Sequence, residues 1–200
     1  MERKKLSYSM FHIGQKLFLR RMFRSMRVKL SQIEQPSIII VNHSSFYDAL
    51  VLFELDRRGY LPKNRIVGMS ADGLKKFPIF KKLGTVPISQ PIKLSEYKEL
   101  LRLAQTHTII LFPQGVEEHA EKRPLTIQPG VERLMSRFPK YKLLFISIYY
   151  SFTDGVRGDI ACQLTPKAQP VNIQQMMTTE IDTLKASVIT NDLKGFTRLW

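Results

Sequence analysis

Residues 37–41, Ser-Ile-Ile-Ile-Val, carry an uninterrupted β-branched run from Ile38 to Val41, the composition of a buried strand in a largely parallel sheet. Further short apolar runs follow at 65–69, 85–88, 108–112, 143–149 and 159–164. Helical patterns lie between them at 46–57, 71–77, 94–106 and 130–138, with one more near 179–189. Apolar runs that alternate with helices imply crossover units, so the predicted class is α/β: a mostly parallel central sheet flanked by helices. At 200 residues the chain is the size of one ordinary domain. Pro124, Pro129, Pro139, Pro166 and Pro170 punctuate loops rather than divide domains.

No segment approaches the roughly eighteen continuous apolar residues of a membrane span, so a globular protein is expected. The basic N-terminus lacks the apolar core of a secretory signal, and the single cysteine, Cys162, can form no internal disulfide. Both features predict a cytoplasmic protein. His12, His43, His107 and His119 show no ligand spacing with one another, so no metal site is expected.

The net charge of +14 predicts an anionic partner. Residues 1–30 hold nine Lys and Arg against one acid, Glu2, and so carry +8 of that excess. In the same segment Leu6, Met10, Ile13 and Leu17 recur at helical spacing, as do Phe18, Met22 and Met26. The expectation is a basic amphipathic helical segment over 1–30, docking on an anionic membrane surface and preceding a domain over 31–200. The protein would then sit peripherally on the inner face of a membrane. Alternatively, the apolar stripe simply packs on the domain. Nucleic acid is not expected, because no helix-turn-helix, finger spacing or aromatic RNA-binding strand accompanies the charge.

The first strand runs directly into Asn42 and His43, and Asp48 follows the histidine by five residues. In parallel sheets ligands gather at the carboxyl ends of strands, which places His43 where chemistry is done. Asp48, in the first turns of the next helix, is positioned to accept a hydrogen bond from one ring nitrogen. A histidine so oriented is a general base for a hydroxyl. Two stretches follow in order: 77–89, and 108–125, where "TIILFPQG" again carries a strand into a Pro and Gly turn.

Asn42-His43-x4-Asp48 resembles the first block of the glycerolipid acyltransferases typified by 1-acylglycerol-3-phosphate acyltransferase, and Phe112-Pro113-Gln114-Gly115 resembles their third, Phe-Pro-Glu-Gly-Thr-Arg. Gly84 to Pro87 falls where that family has its second block, and Pro129-Gly130 opens a helix as a corresponding pair does there. The resemblance spans about residues 30–165 and implies acyl transfer from a thioester, acyl-CoA or acyl carrier protein, to a lipid hydroxyl. It implies His43 as base, Asp48 as its orienting partner, direct attack by the acceptor, and no cofactor beyond the acyl thioester co-substrate.

Departures from the family pattern are concentrated in the third block, where Gln114 replaces an acid, Val116 a threonine, and Glu117 an arginine that helps bind the acceptor's phosphate. Gln90 stands where the second block has an arginine. Acceptor contacts are therefore expected from Gln114, Gly115 and Glu117. Either Arg123, with Lys122 beside it, takes the phosphate instead, or the acceptor is a larger-headgroup lysophospholipid or a glycolipid with no phosphomonoester there. Lys75, Lys76, Lys81 and Lys82, arranged around Phe77 and Phe80, suit an acyl donor or a membrane surface. The competing readings are a catalytically inactive lipid-binding relative and, further off, a nucleic-acid-binding domain.

Overall fold

The structure, a computed structural model, describes residues 5–31, 33, 37–153, 155–168 and 172–200, with side chains from Phe11 onward. An N-terminal helix, α1 (Lys5–Met22), leads into strand β1 (Phe23–Lys29). Then come β2 (Ser37–Val41), α2 (Tyr47–Arg57), β3 (Arg65–Ser70), α3 (Ala71–Lys76), a 3-10 helix (Pro78–Leu83) and β4 (Thr85–Ile88). The remainder is α4 (Leu94–Ala104), β5 (Thr108–Leu111), α5 (Pro129–Arg137), β6 (Lys142–Ser151), β7 (Gly158–Lys167), α6 (Ile173–Ile189) and β8 (Thr197–Arg198).

Among the described residues, all eight strands join one sheet in the order β4-β3-β5-β2-β6-β7-β1-β8. The five from β4 to β6 are mutually parallel, β7 runs antiparallel to β6, and β1 returns parallel to β7. β2 lies between β5 and β6, and every residue in it is buried. Ile39 and Val41 point into the core under α1 and α2, whereas Ile38 and Ile40 point into the core under α4, α5 and α6. Alternate side chains of one strand thus serve both layers, which is why the run carries no polar alternation.

The expected helical segment over 1–30 ends at Met22. Residues 23–29 are a strand, so the sheet takes in part of what the sequence reading assigned to the N-terminal segment. Phe23, Ser25, Met26 and Val28 are buried, while Arg24 and Lys29 are exposed. The register shifts between Phe23 and Ser25, so the strand shows no clean two-residue alternation; Met26 also fits the four-residue spacing of Phe18 and Met22, and pairing with β7 decides for the strand. α1 turns the half-buried Phe11 and the buried Gln15 and Leu19 inward at successive i, i+4 positions; Ile13, Leu17, Phe18 and Met22 are exposed. Leu6 and Met10 fall among side chains outside the description, and Pro170 outside the described residues. Among the described residues no helix is long and apolar enough to cross a membrane.

Candidate active site

Beyond Val41 the chain is fixed by long-range hydrogen bonds. The buried Asn42 donates from Nδ2 to the Ile148 carbonyl (2.9 Å) and accepts at Oδ1 from the Ile148 N–H (2.7 Å). Its amide thereby continues the β2–β6 ladder past the last backbone pair, Val41 with Ile146. The next residue, His43, donates its N–H to Gln114 Oε1 (2.6 Å), and its carbonyl accepts from Gln114 Nε2 (3.3 Å) and the Glu118 N–H (2.9 Å). The main chain beneath the imidazole is held on both its polar groups.

Asp48, in the first turn of α2, is completely buried and gathers four donors. Its Oδ2 accepts from the N–H groups of Ser44 (2.7 Å) and Ser45 (2.9 Å) and meets His43 Nδ1 at 3.0 Å. Its Oδ1 accepts from the Tyr150 hydroxyl at 2.6 Å. An oxygen already serving two N–H groups is an acceptor, so Nδ1 is assigned as the protonated nitrogen, and Nε2 of the neutral ring keeps the lone pair. That Nε2 has no protein partner among the described residues, and the ring lies over Phe112 with centroids 4.6 Å apart. Burial, and after it the Asp48 carboxylate, push the Tyr150 phenol well above its ordinary value, so the residue stays a donor.

His43 opens onto a cleft of about 1030 Å³ between α2 and β3. Its inner walls are apolar: Ala49, Leu52 and Phe53 from α2, Leu61, Val67 and Met69, and Phe80 from the 3-10 helix. Asp56, at the end of α2, and Arg65, a buried ion pair, line the cleft as well. With a rise of about 1.5 Å per residue, the stretch of α2 from Ala49 to Asp56 makes this wall about 10 Å long. The mouth is polar, with Ser70, Lys75, Lys76, Gln90, Lys93 and Glu117. Cys162, the only cysteine, is fully buried, and burial pushes its thiol up, which leaves it no nucleophile.

Of the residues singled out in the sequence, His43, Gly115, Glu117, Lys75 and Lys76 all line this cleft, with Asp48 directly behind the histidine. Gln114 does not face it; the residue is 1% exposed and spends its amide on the His43 main chain. Arg123 lies elsewhere, beside a separate hollow, where it pairs with Asp182 of α6 and donates to the carbonyls of Ala120 and Lys122. Lys122 is paired with Glu118. Neither cation proposed to replace the missing arginine lines the cleft. Lys81 and Lys82 are exposed on the 3-10 helix and do not line it either.

Two further residues organise the third-block turn. Gly115 has φ +77°, a left-handed conformation that favours glycine, and a Cβ there would displace the flexible end of the Gln90 side chain. Glu118 is buried, accepting from Lys122, from the Thr126 N–H (3.1 Å) and from Gln114 Nε2 (3.3 Å). Burial alone would raise its carboxyl, but those hydrogen bonds hold it down at about 2. Tyr150 escapes a reading of local spacing: it is 102 residues from Asp48 and reaches it only because β6 neighbours β2, whereas the partners of Glu118, Gln114 and Lys122, lie four residues to either side of it. Among the described residues no group of three or more His, Cys, Asp or Glu is arranged to hold a metal ion.

Residues 20–151 match the model of the acyltransferase family, a stretch that contains His43, Asp48, Tyr150 and the whole turn at 112–117. No curated protein matches the chain.

Proposed function

The chain belongs to the acyltransferase family, and we propose that it transfers a fatty acyl group from an acyl thioester to the hydroxyl of a lipid, with His43 as general base. The observation that carries this reading is the His43 Nδ1 to Asp48 Oδ2 contact of 3.0 Å, on a ring that opens onto the cleft. His43 Nε2 takes the proton of the acceptor hydroxyl as the oxygen attacks the thioester carbonyl. The resulting imidazolium is stabilised by Asp48. The tetrahedral intermediate collapses with loss of the thiolate, which takes the proton back from His43. No enzyme nucleophile is consumed in this sequence, in keeping with a buried Cys162.

The apolar length of the cleft suits an acyl chain, and Lys75 and Lys76 at its mouth suit the phosphates of CoA or of a carrier protein's prosthetic arm. Glu117 bears on the acceptor. An opposite charge at 4 Å is worth about 4 kcal/mol at an effective dielectric of 20, so an acid where the family pattern has an arginine turns attraction for a phosphomonoester into repulsion. With Arg123 and Lys122 both engaged outside the cleft, the acceptor favoured is a larger-headgroup lysophospholipid or a glycolipid. The test is transfer of labelled acyl groups, from acyl-CoA and acyl carrier protein separately, to lysophosphatidate, larger-headgroup lysophospholipids and glycolipids. Label in a larger-headgroup or glycolipid product is expected. Label confined to lysophosphatidate would reject the acceptor reading, and vesicle binding without any transfer would favour an inactive lipid-binding relative.

A further inference from the structure

Large apolar side chains are left in water along one continuous line that ends at the mouth of the cleft. Phe18, 43% exposed on α1, stacks on Tyr47 with centroids 6.0 Å apart. Tyr47 meets Phe46 at 6.2 Å, and Phe46 meets Phe77 at 5.4 Å. Phe46 and Phe77 are 38% and 41% exposed, and both line the cleft that holds His43. At the α1 end the line is widened by Leu17 and Met22, exposed as well. The aromatic strip thus joins three separate chain segments: α1, the start of α2, and the turn between α3 and the 3-10 helix.

Cations flank the strip at both ends. Arg21 stands exposed on α1, with Arg20 beside it turned over the Trp200 ring (5.6 Å), and Lys75, Lys76, Lys81 and Lys82 stand exposed around Phe77. The acids nearby are Asp72, paired with Lys75, and Glu117 inside the mouth. Exposed aromatics rimmed by Lys and Arg match the headgroup boundary of an anionic bilayer, where rings enter the interface and cations meet lipid phosphates. A second copy of the chain fits less well, because a two-fold contact would set each cationic cluster against cations.

We propose that the strip from Phe18 through Phe46 to Phe77 is the face by which the protein docks on an anionic bilayer, and that the lipid acceptor passes from that bilayer directly into the cleft mouth. The inference rests on the reading of the acceptor as a lipid and extends it: docking is shared by α1 with the rim of the cleft rather than confined to the N-terminal segment. Docking so placed sets the His43 cleft facing the membrane.

The experiment uses the full chain with Trp200→Phe as background and one tryptophan at a time, Phe18→Trp, Phe77→Trp or Ile189→Trp. Ile189 is exposed at the end of α6, on the opposite side of the sheet. Fluorescence is read with vesicles of phosphatidylglycerol or phosphatidylcholine carrying brominated acyl chains. Quenching at positions 18 and 77 but not 189, with binding at least about tenfold tighter to phosphatidylglycerol, is expected. Quenching at 189 equal to that at 18 and 77, no binding, or binding with none of the three quenched would overturn the proposal. So would light scattering that shows a dimer whose formation shields positions 18 and 77 from lipid. None of these readouts needs turnover, so failure to dock is distinct from failure to transfer, which a detergent-dispersed acceptor reports separately.

Discussion

Tyr150, at the far end of β6, donates its hydroxyl to Asp48 at 2.6 Å and so occupies the carboxylate oxygen that His43 does not use. Asp48 has no remaining freedom to rotate away from the imidazole, because its other oxygen is held by the N–H groups of Ser44 and Ser45. Tyr150→Phe removes one buried donor to a charged acceptor, for which about 1–3 kcal/mol of stability is the ordinary cost. If the hydroxyl positions the base, kcat falls about tenfold at unchanged KM, since the loss falls on the step in which imidazolium forms. A variant that loses stability but keeps its kcat would make the contact purely structural.

The amide of Gln114 performs a task that a carboxylate cannot. It accepts from the His43 N–H and donates both to the His43 carbonyl and to Glu118. Gln114→Glu would remove the donor and set two buried acids in contact, so it should destabilise the fold by about 2–3 kcal/mol and lower kcat. Combining it with Glu118→Gln should recover part of both losses, as expected of coupled neighbours. Strictly additive losses in thermal denaturation would show that the acid has not simply moved four residues along the turn.

Acid stability follows from Glu118. Its carboxyl titrates at about 2 in the folded protein, against an ordinary value of 4.5, so the folded state binds that proton more weakly than the unfolded one. The stabilisation is complete above about 4.5 and is lost as the pH falls from there towards 2. Glu118→Gln should therefore flatten the dependence of unfolding free energy on pH in that window while lowering stability at neutral pH. Parallel curves for the two proteins would remove Glu118 from the turn's support.

Secondary structure was legible wherever burial and local spacing agree. The β2 run announces a strand covered on both faces, and the helices at 46–57, 94–106 and 130–138 match α2, α4 and α5 to within about two residues. β1 was not legible, because Phe18, Met22 and Met26 also satisfy a helical period and only pairing with β7 selects the strand. The His43 and Asp48 pair could be read because its two members are five residues apart and flank a strand-to-helix turn. Tyr150 could not, since strand order alone brings it there. Arg123 is close to Glu117 in sequence, yet Asp182 on α6 holds it at another surface.

Glu117 sits exposed at the mouth of the cleft with no cation of the third-block turn beside it in that cleft. Glu117→Arg should raise kcat/KM for lysophosphatidate relative to a larger-headgroup lysophospholipid by about tenfold or more, well below the full Coulomb figure because the site is open to water. Competition between the two acceptors in one vesicle preparation measures the ratio directly. An unchanged ratio would place acceptor choice elsewhere in the cleft.

Acyl transfer by the wild-type protein and by His43→Ala, from a labelled thioester to the preferred lipid acceptor, bears most directly on the assignment of His43. Label should enter the lipid with the wild-type protein and fall at least about a hundredfold in the variant, the contribution of a positioned general base, with the folded state intact. Equal transfer by the two proteins would contradict His43 as the base.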